Sequence, residues 1–262
     1  MTSSYLASVS YVGTHYSGFQ VQSALPTIQG MLWSSLKNLE STIGLPSGAS
    51  RTDAGVHAED QKIFFKTEKY WDTTILKKAI QAYLPEDIQI NTVHGVAEGF
   101  AFRKAIVAKR YCYRLSLGGS RNPMENFRRW HIPGSFQVDL PRTNEALKCF
   151  LGTHDFSSFR ASECVAPSAV KTLYRFEVIE DERGLSVVFD GNQFLMHQVR
   201  ILTGTLIEFM KNKLSTEDLQ SILAVKDRTQ SGPTAPAHGL TLEKIWLDPG
   251  TGFNEPFGIP KV

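Results

Sequence analysis

The sequence predicts an α+β fold: a mainly antiparallel central sheet built from two similar α/β halves, with helices packed on it. Three observations predict it. Hairpin signals are interspersed with amphipathic helix patterns, which disfavours a doubly wound parallel sheet. The second half of the chain repeats the alternation of the first. No low-complexity linker separates them, and no Gly-rich dinucleotide turn opens a helix.

The first strand is expected from Tyr5 to Val12, with Tyr5, Ala7, Val9 and Tyr11 on one side. Gly13 and Gly18 then bound a loop. Thr27 is a candidate N-cap, and Ile28, Met31, Leu32, Leu36 and Leu39 follow at helical spacing, so a helix is expected over 28–42. Ile63-Phe64-Phe65 within 61–66 reads as a buried strand. Asp72 or Thr73 can cap a second helix that runs to Tyr83 and stops at Pro85. Residues 87–96 and 109–117 read as strands, and 143–151 as a helix. Leu173–Ile179 and Leu185–Asp190 form a hairpin closed near Glu182-Arg183-Gly184. A long apolar helix is expected over 194–210, with Leu195, Val199, Leu202, Leu206 and Met210 near one face. A shorter helix over 216–225 and a closing strand over 240–247 complete the order. The expected halves are residues 1–105 and 106–262, and 114–142 has the weakest periodicity.

Hydrophobic residues at 42% and charged residues at 21% are ordinary for a soluble globular protein. No run of about 18 apolar residues marks a membrane span, and the first four residues do not begin a signal peptide. No membrane partner is therefore expected. Three widely spaced cysteines (Cys112, Cys149, Cys164) read as reduced thiols of a cytoplasmic protein, not as a disulfide frame or a zinc site. Net charge is only +2, but it is unevenly spread. Residues 103–142 hold nine basic side chains against Glu125 and Asp139, a net +7 and a candidate footprint for a polyanion.

The densest polar constellation is Arg51-Thr52-Asp53-Ala54-Gly55-Val56-His57. It follows small residues (Ser47-Gly48-Ala49-Ser50) that let backbone approach a ligand closely. Asp53 can serve as nucleophile or base, and Arg51 can contact phosphate or stack on a base. The same residues also suit an Asx-turn with Arg51 on the surface. Asp53, His57 and Asp60 could offer metal ligands, but no His or Cys pair at short spacing supports them, so no metal is expected. Phosphate-binding Gly-Lys-Ser/Thr loops and Gly-x-Ser-x-Gly elbows do not occur.

Seven blocks in order resemble the tRNA pseudouridine synthase A family. Arg51–Ala58 is similar to its signature, in which the Asp is catalytic. Tyr11-Val12-Gly13 with Gly18-Phe19-Gln20-Val21-Gln22 resembles its N-terminal segment, and Thr27-Ile28-Gln29 the start of its first helix. Lys109-Arg110-Tyr111-Cys112-Tyr113 resembles its Lys/Arg-x-Tyr-x-Tyr strand, and 152–159 its Gly-x-His/Asn-Asp-Phe-x-Ser-Phe block. Residues 191–200 resemble its Gly-x-x-Phe-x-x-x-x-Val/Ile-Arg helix start, and 234–240 its Ala-Pro-x-x-Gly-Leu motif. Two departures stand out. Ser50 replaces a frequent Gly, and Phe100-Ala101-Phe102-Arg103 replaces Phe-His-Ala-Arg.

The resemblance implies the pseudouridine synthase fold, with a catalytic cleft between the halves. It also implies a cofactor-free isomerisation of tRNA uridine. The N1–C1′ bond breaks, the base rotates, and C5 joins C1′. Asp53 is then the catalytic carboxylate, Arg51 holds the flipped nucleotide, Tyr111 stacks on the uracil, and Arg200 partners Asp53. Flipping costs a few kcal/mol, which a fitted pocket and stacking offset. Arg103, Lys104, Lys109, Arg110, Arg128 and Arg129 are the expected phosphate contacts. The family's bacterial branch acts on uridines 38, 39 and 40 of the anticodon stem-loop. It works as a homodimer, so tRNA and a second copy are the expected partners. The alternatives are a non-catalytic RNA-binding protein retaining the fold, and a metal-dependent hydrolase around Asp53 and His57.

Overall fold

The computed structural model describes residues 2–134 and 137–248. In chain order its main elements are β1 (Ser3–Tyr11), α1 (Ile28–Leu39), β2 (Ser47–Gly48), β3 (His57–Thr67), α2 (Thr73–Gln81) and β4 (Ile88–Val96). They continue with β5 (Ile106–Leu117), β6 (Trp130–Ile132), α3 (Leu140–Leu147), β7 (Gly152–Asp155), β8 (Val170–Asp181) and β9 (Gly184–Gly191). The last are α4 (Gln198–Met210), α5 (Thr216–Val225) and β10 (Leu240–Leu247). Two compact units result, divided between Val107 and Ala108 and again between Leu240 and Thr241. The closing strand therefore belongs with the first unit, not with the residues that precede it.

The first unit is a sheet in the order β4-β1-β3-β10, with β2 paired to β3. Its pairs are antiparallel except β3 with β10, where Thr241 lies opposite His57. β1 is the central strand and is buried on both faces except near its ends. The expected one-sided alternation is too narrow, because Leu6 and Ser8 are buried as well as Tyr5, Ala7, Val9 and Tyr11. Thr27 caps α1 by accepting from the Gly30 N–H at 3.2 Å, and Asp72 caps α2 by accepting from Thr74 and Ile75 at 3.0 Å. α1 and α2 are joined where the buried Ser35 hydroxyl donates to the Ile80 carbonyl at 2.6 Å.

The second unit is a sheet in the order β5-β9-β8-β7, with β6 added parallel to β5. The hairpin of β8 and β9 closes with Asp181 opposite Gly184, as the sequence predicts. α3 begins at Leu140, three residues earlier than expected. Asp139 caps it, and Pro141 is tolerated in a first turn whose N–H groups have no helical partner. α4 begins at Gln198 rather than Phe194, because His197 takes a left-handed conformation (φ 62°) and breaks the helical run. Nor does α4 bury a single face: Val199, Ile201, Leu202, Thr203, Gly204, Thr205, Leu206 and Ile207 are all buried. It is the core helix of its unit. Among the described residues no helix is long and apolar enough to cross a membrane.

Candidate active site

Asp53 lies in the segment between β2 and β3, which has no regular secondary structure until His57. Such a segment keeps its shape only through individual ties, and these come from β3 and from the blocks that precede the segment. At its start, the fully buried Gln61 side chain clasps Ser50, accepting from its N–H at 3.1 Å and donating to its carbonyl at 2.7 Å. Next, the Tyr11 and Thr52 hydroxyls are hydrogen-bonded at 2.7 Å, both buried, and the Thr52 carbonyl accepts from the Phe19 N–H at 3.0 Å. Beyond Asp53, the Gly55 N–H donates to the Tyr16 carbonyl at 3.3 Å and the Val56 N–H to the Asp53 carbonyl at 3.2 Å. At the end, buried His57 accepts the Gly13 N–H on Nδ1 at 3.1 Å. Asp53 is half-buried and Arg51 exposed.

Two glycines explain why the N-terminal block reads as it does. A Cβ on Gly13 would collide with the Val56 carbonyl, so any side chain there displaces the loop. Gly18 has φ +91°, and a Cβ on it would sit 2.9 Å from the Thr52 carbonyl. Gln29, at the start of α1, completes the brace: it donates to the Pro46 carbonyl at 2.8 Å and accepts from the Val21 N–H at 2.9 Å. Tyr16 is anchored by donating to Asp87 at 2.6 Å; burial, then that hydrogen bond, raises its phenol well above the usual tyrosine range. The departure at Ser50 is accommodated, since its main chain makes the Gln61 clasp. Phe100 and Phe102 lie against Phe64, with ring centroids 6.2 and 5.8 Å apart.

Metal-ligating use of His57 and Asp60 is disfavoured by what they already do. His57 spends Nδ1 on Gly13. Asp60 accepts from the Ser8 hydroxyl at 2.6 Å, from Lys62 at 2.5 Å and from the Ile245 N–H at 3.3 Å. Among the described residues no group of three or more His, Cys, Asp or Glu could hold an ion.

In the second unit Tyr111 sits within β5 opposite Phe189 of β9. It is 6% exposed, and its ring meets Phe194 edge-on at 5.1 Å. Arg200 stands in the first turn of α4, half-buried. It is tied both ways to Ala235: its Nε donates to the Ala235 carbonyl at 2.8 Å, and the Ala235 N–H donates to the Arg200 carbonyl at 3.1 Å. The next carbonyl, that of Pro236, accepts the buried Tyr113 hydroxyl at 2.6 Å. Burial raises the Tyr113 phenol strongly, and nearby Arg200 offsets part of that. The 234–240 block is thus a strap that fixes the start of α4 against β5. Block 152–159 has a structural job too. Asp155 accepts from the Ser157 hydroxyl at 2.6 Å, which holds its carboxyl below the usual range, and Phe156 and Phe159 are fully buried.

The basic stretch divides once its side chains are located. Arg103, Lys104 and Arg128 are exposed and Lys109 is half-buried. Arg129 requires a correction: it is 8% exposed, and its guanidinium meets Glu125 at 3.1 Å, Asp181 at 2.8 Å and the Leu115 carbonyl at 3.1 Å. A cation so enclosed by two carboxylates is a structural tie, not a phosphate contact. Arg110 is likewise engaged, paired twice with the buried Asp190 at 2.7 and 2.8 Å. Sequence reasoning missed Asp181 and Asp190 as partners because they lie 52 and 80 residues away. It also missed Gln61 and Thr52 as ties of the Asp53 loop, since each is an ordinary strand or loop residue until its partner is seen.

The mostly antiparallel α+β scaffold, carrying the small-residue loop and the other six blocks, is consistent with the pseudouridine synthase fold. A family model described as tRNA pseudouridine synthase matches residues 7–101 and 146–246, and the chain belongs to that family. Proteins named tRNA pseudouridine synthase A are similar along nearly the whole length. The one from Geobacillus kaustophilus is 37% identical over 92% of this chain and 93% of its own. That of Leuconostoc citreum is 39% identical over 92% and 96%, and that of Staphylococcus carnosus 37% over 95% and 93%. Tyr111 falls between the two stretches the family model matches, within the length these relatives share.

Proposed function

We propose that this chain isomerises uridines 38, 39 and 40 of the tRNA anticodon stem-loop, as a cytoplasmic homodimer, with Asp53 as its catalytic carboxylate. The chain is an isomerase that converts uridine in tRNA to pseudouridine. The observation that carries this is the family match along most of the chain, combined with an intact Arg51–Ala58 signature.

The chemistry is an isomerisation and leaves the formula unchanged. The N1–C1′ bond breaks, the uracil turns, C5 bonds to C1′, the hydrogen on C5 leaves as a proton, and the freed N1 takes up a proton in its place. A carboxylate beside the ribose suffices for this, and Asp53 supplies it from its braced loop. The nucleotide must first leave its stack, and Arg51 holds the flipped state. Tyr111 stacks on the uracil, and Arg200 holds an anionic group. Arg103, Lys104, Lys109, Arg128 and the part-exposed Arg110 contact backbone phosphates; Arg129, buried against Glu125 and Asp181, is left out of the set.

The test uses purified, chelator-treated protein and tRNA labelled with tritium at uridine C5. Tritium release is expected, and it is expected to vanish in Asp53→Asn while tRNA affinity persists. Turnover by Asp53→Asn would remove Asp53 from the role. Mapping pseudouridine in tRNA from a deletion strain and its rescue is expected to show loss and return at positions 38, 39 and 40. Loss elsewhere would overturn that assignment. Sedimentation of the purified protein tests the dimer.

A further inference from the structure

We infer that the buried Tyr11–Thr52 hydroxyl pair is a positioning device for Asp53: through it the last residue of β1 sets where the catalytic carboxylate stands. The inference rests on Asp53 having the role proposed above.

Four observations carry it. The two hydroxyl oxygens lie 2.7 Å apart, the length of a well-formed O–H···O bond, so the tie is fully made. It acts on the residue immediately before Asp53. Both partners are buried, Tyr11 at 4% and Thr52 at 7% exposure, so water does not readily replace either one. Finally, Tyr11 ends the central strand of its sheet, which pairs with β3 on one side and β4 on the other. It is therefore a fixed post, whereas residues 52–56 are a loop.

The remaining ties define what removal of the pair would do. The Phe19 N–H still holds the Thr52 carbonyl, and Gln61 still clasps Ser50. The loop therefore stays in place when the pair is lost, but Thr52 can rotate about its main chain and carry the neighbouring Asp53 with it. A displacement of about 1 Å at a reacting group costs about 100-fold in rate. Binding of tRNA, which rests mainly on phosphate contacts, should be little affected. The pair is accordingly expected to act on kcat and not on KM.

The experiment compares Tyr11→Phe, Thr52→Val, Thr52→Ser, the double variant Tyr11→Phe/Thr52→Val, and Asp53→Ala. It uses full-length protein, the tritium-release assay and thermal unfolding. Tyr11→Phe keeps the ring that packs near Phe19 and removes only the hydroxyl. Tyr11→Phe and Thr52→Val are each expected to lower kcat by about 10- to 100-fold, with KM for tRNA within about threefold. The double variant should be no worse than the poorer single, as members of one interaction are not additive. Thr52→Ser retains a hydroxyl and should recover most of the wild-type kcat.

If Tyr11→Phe and Thr52→Val keep wild-type kcat while Asp53→Ala is inactive, the positioning role is wrong and the role of Asp53 stands. If kcat merely follows the folded fraction, or Thr52→Ser is as slow as Thr52→Val, the pair is structural and the inference fails. If Asp53→Ala is active, the parent reading fails first. Should Tyr11→Phe not fold, the contrast between Thr52→Val and Thr52→Ser decides the matter alone.

Discussion

The two units hold their motif residues by different means. In the first, Asp53 stands on an irregular loop kept in shape by a few separable ties: Gln61 to Ser50, Tyr11 to Thr52, Phe19 to Thr52 and His57 to Gly13. In the second, Tyr111 is embedded in a paired strand and Arg200 opens a helix buried on all sides. Regular structure fixes a residue through many equivalent backbone bonds, so losing one costs stability before it costs geometry. An irregular loop depends on each tie individually. Distant substitutions in the first unit should therefore reach the reaction, while those in the second should first reach the folding free energy.

The predictions probe that contrast. The largest effect is expected from Asp53→Ala: a loss of at least about 10³-fold in kcat, with the thermal midpoint unchanged, measured by tritium release and calorimetry. A matched glycine pair sharpens it. Gly13→Ala drives a Cβ into the Val56 carbonyl and should lower kcat more than stability. Gly204→Ala drives one into the Pro233 carbonyl. Helix propensity favours that alanine by about 1 kcal/mol, but a clash with backbone costs about 3 kcal/mol. A net loss of about 2 kcal/mol in urea unfolding is expected, with kcat of the folded fraction kept. If Gly13→Ala proved purely destabilising, the contrast between the units would collapse.

Neighbouring arginines offer a smaller version of the test. Arg129→Ala leaves Asp181 without its cation and Glu125 with Arg183 alone, and should cost about 3 kcal/mol. Exposed Arg128→Ala should change stability by less than about 0.5 kcal/mol, yet lower the salt dependence of tRNA binding by about one phosphate contact. Reversed outcomes would return Arg129 to the list of RNA contacts. The smallest expected effect is on acid stability. Burial pushes the Asp181 carboxyl up, but hydrogen bonds from Arg129, Ser186 and the Arg183 N–H outweigh it, and its pKa lies below the usual carboxylate value. A depressed folded-state pKa gives stability above the unfolded value, near pH 4, that is lost as pH falls through the folded one. The difference in stability between wild type and Asp181→Asn should therefore be full at neutral pH and shrink below about pH 4 in acid titration.

Much of the fold was legible where a local rule operates. Thr27 and Asp72 cap the helices that follow them, and the α5 span is the one expected from its sequence. The β8–β9 hairpin closes near the expected turn. Errors cluster where a local pattern is overruled. The apolar run from Phe194 resembles helix, yet His197 turns the chain before α4 starts. β2 and β6 are two and three residues long, too short to show a period, and exist because a neighbouring strand offers them partners.

The sequence by itself determined the class of fold, the order of nearly all the elements and the motif residues, because caps, turns, periodicity and ordered blocks are properties of neighbouring residues. Only the tertiary structure decided which arginines pair with Asp190, Glu125 and Asp181. It alone decided that a strand-end tyrosine, a strand glutamine and a buried histidine hold the shape of the loop around Asp53. The physical reason is that a hydrogen bond or ion pair depends on distance in space, and the chain pairs residues as far as 185 positions apart without any mark of it in the local sequence.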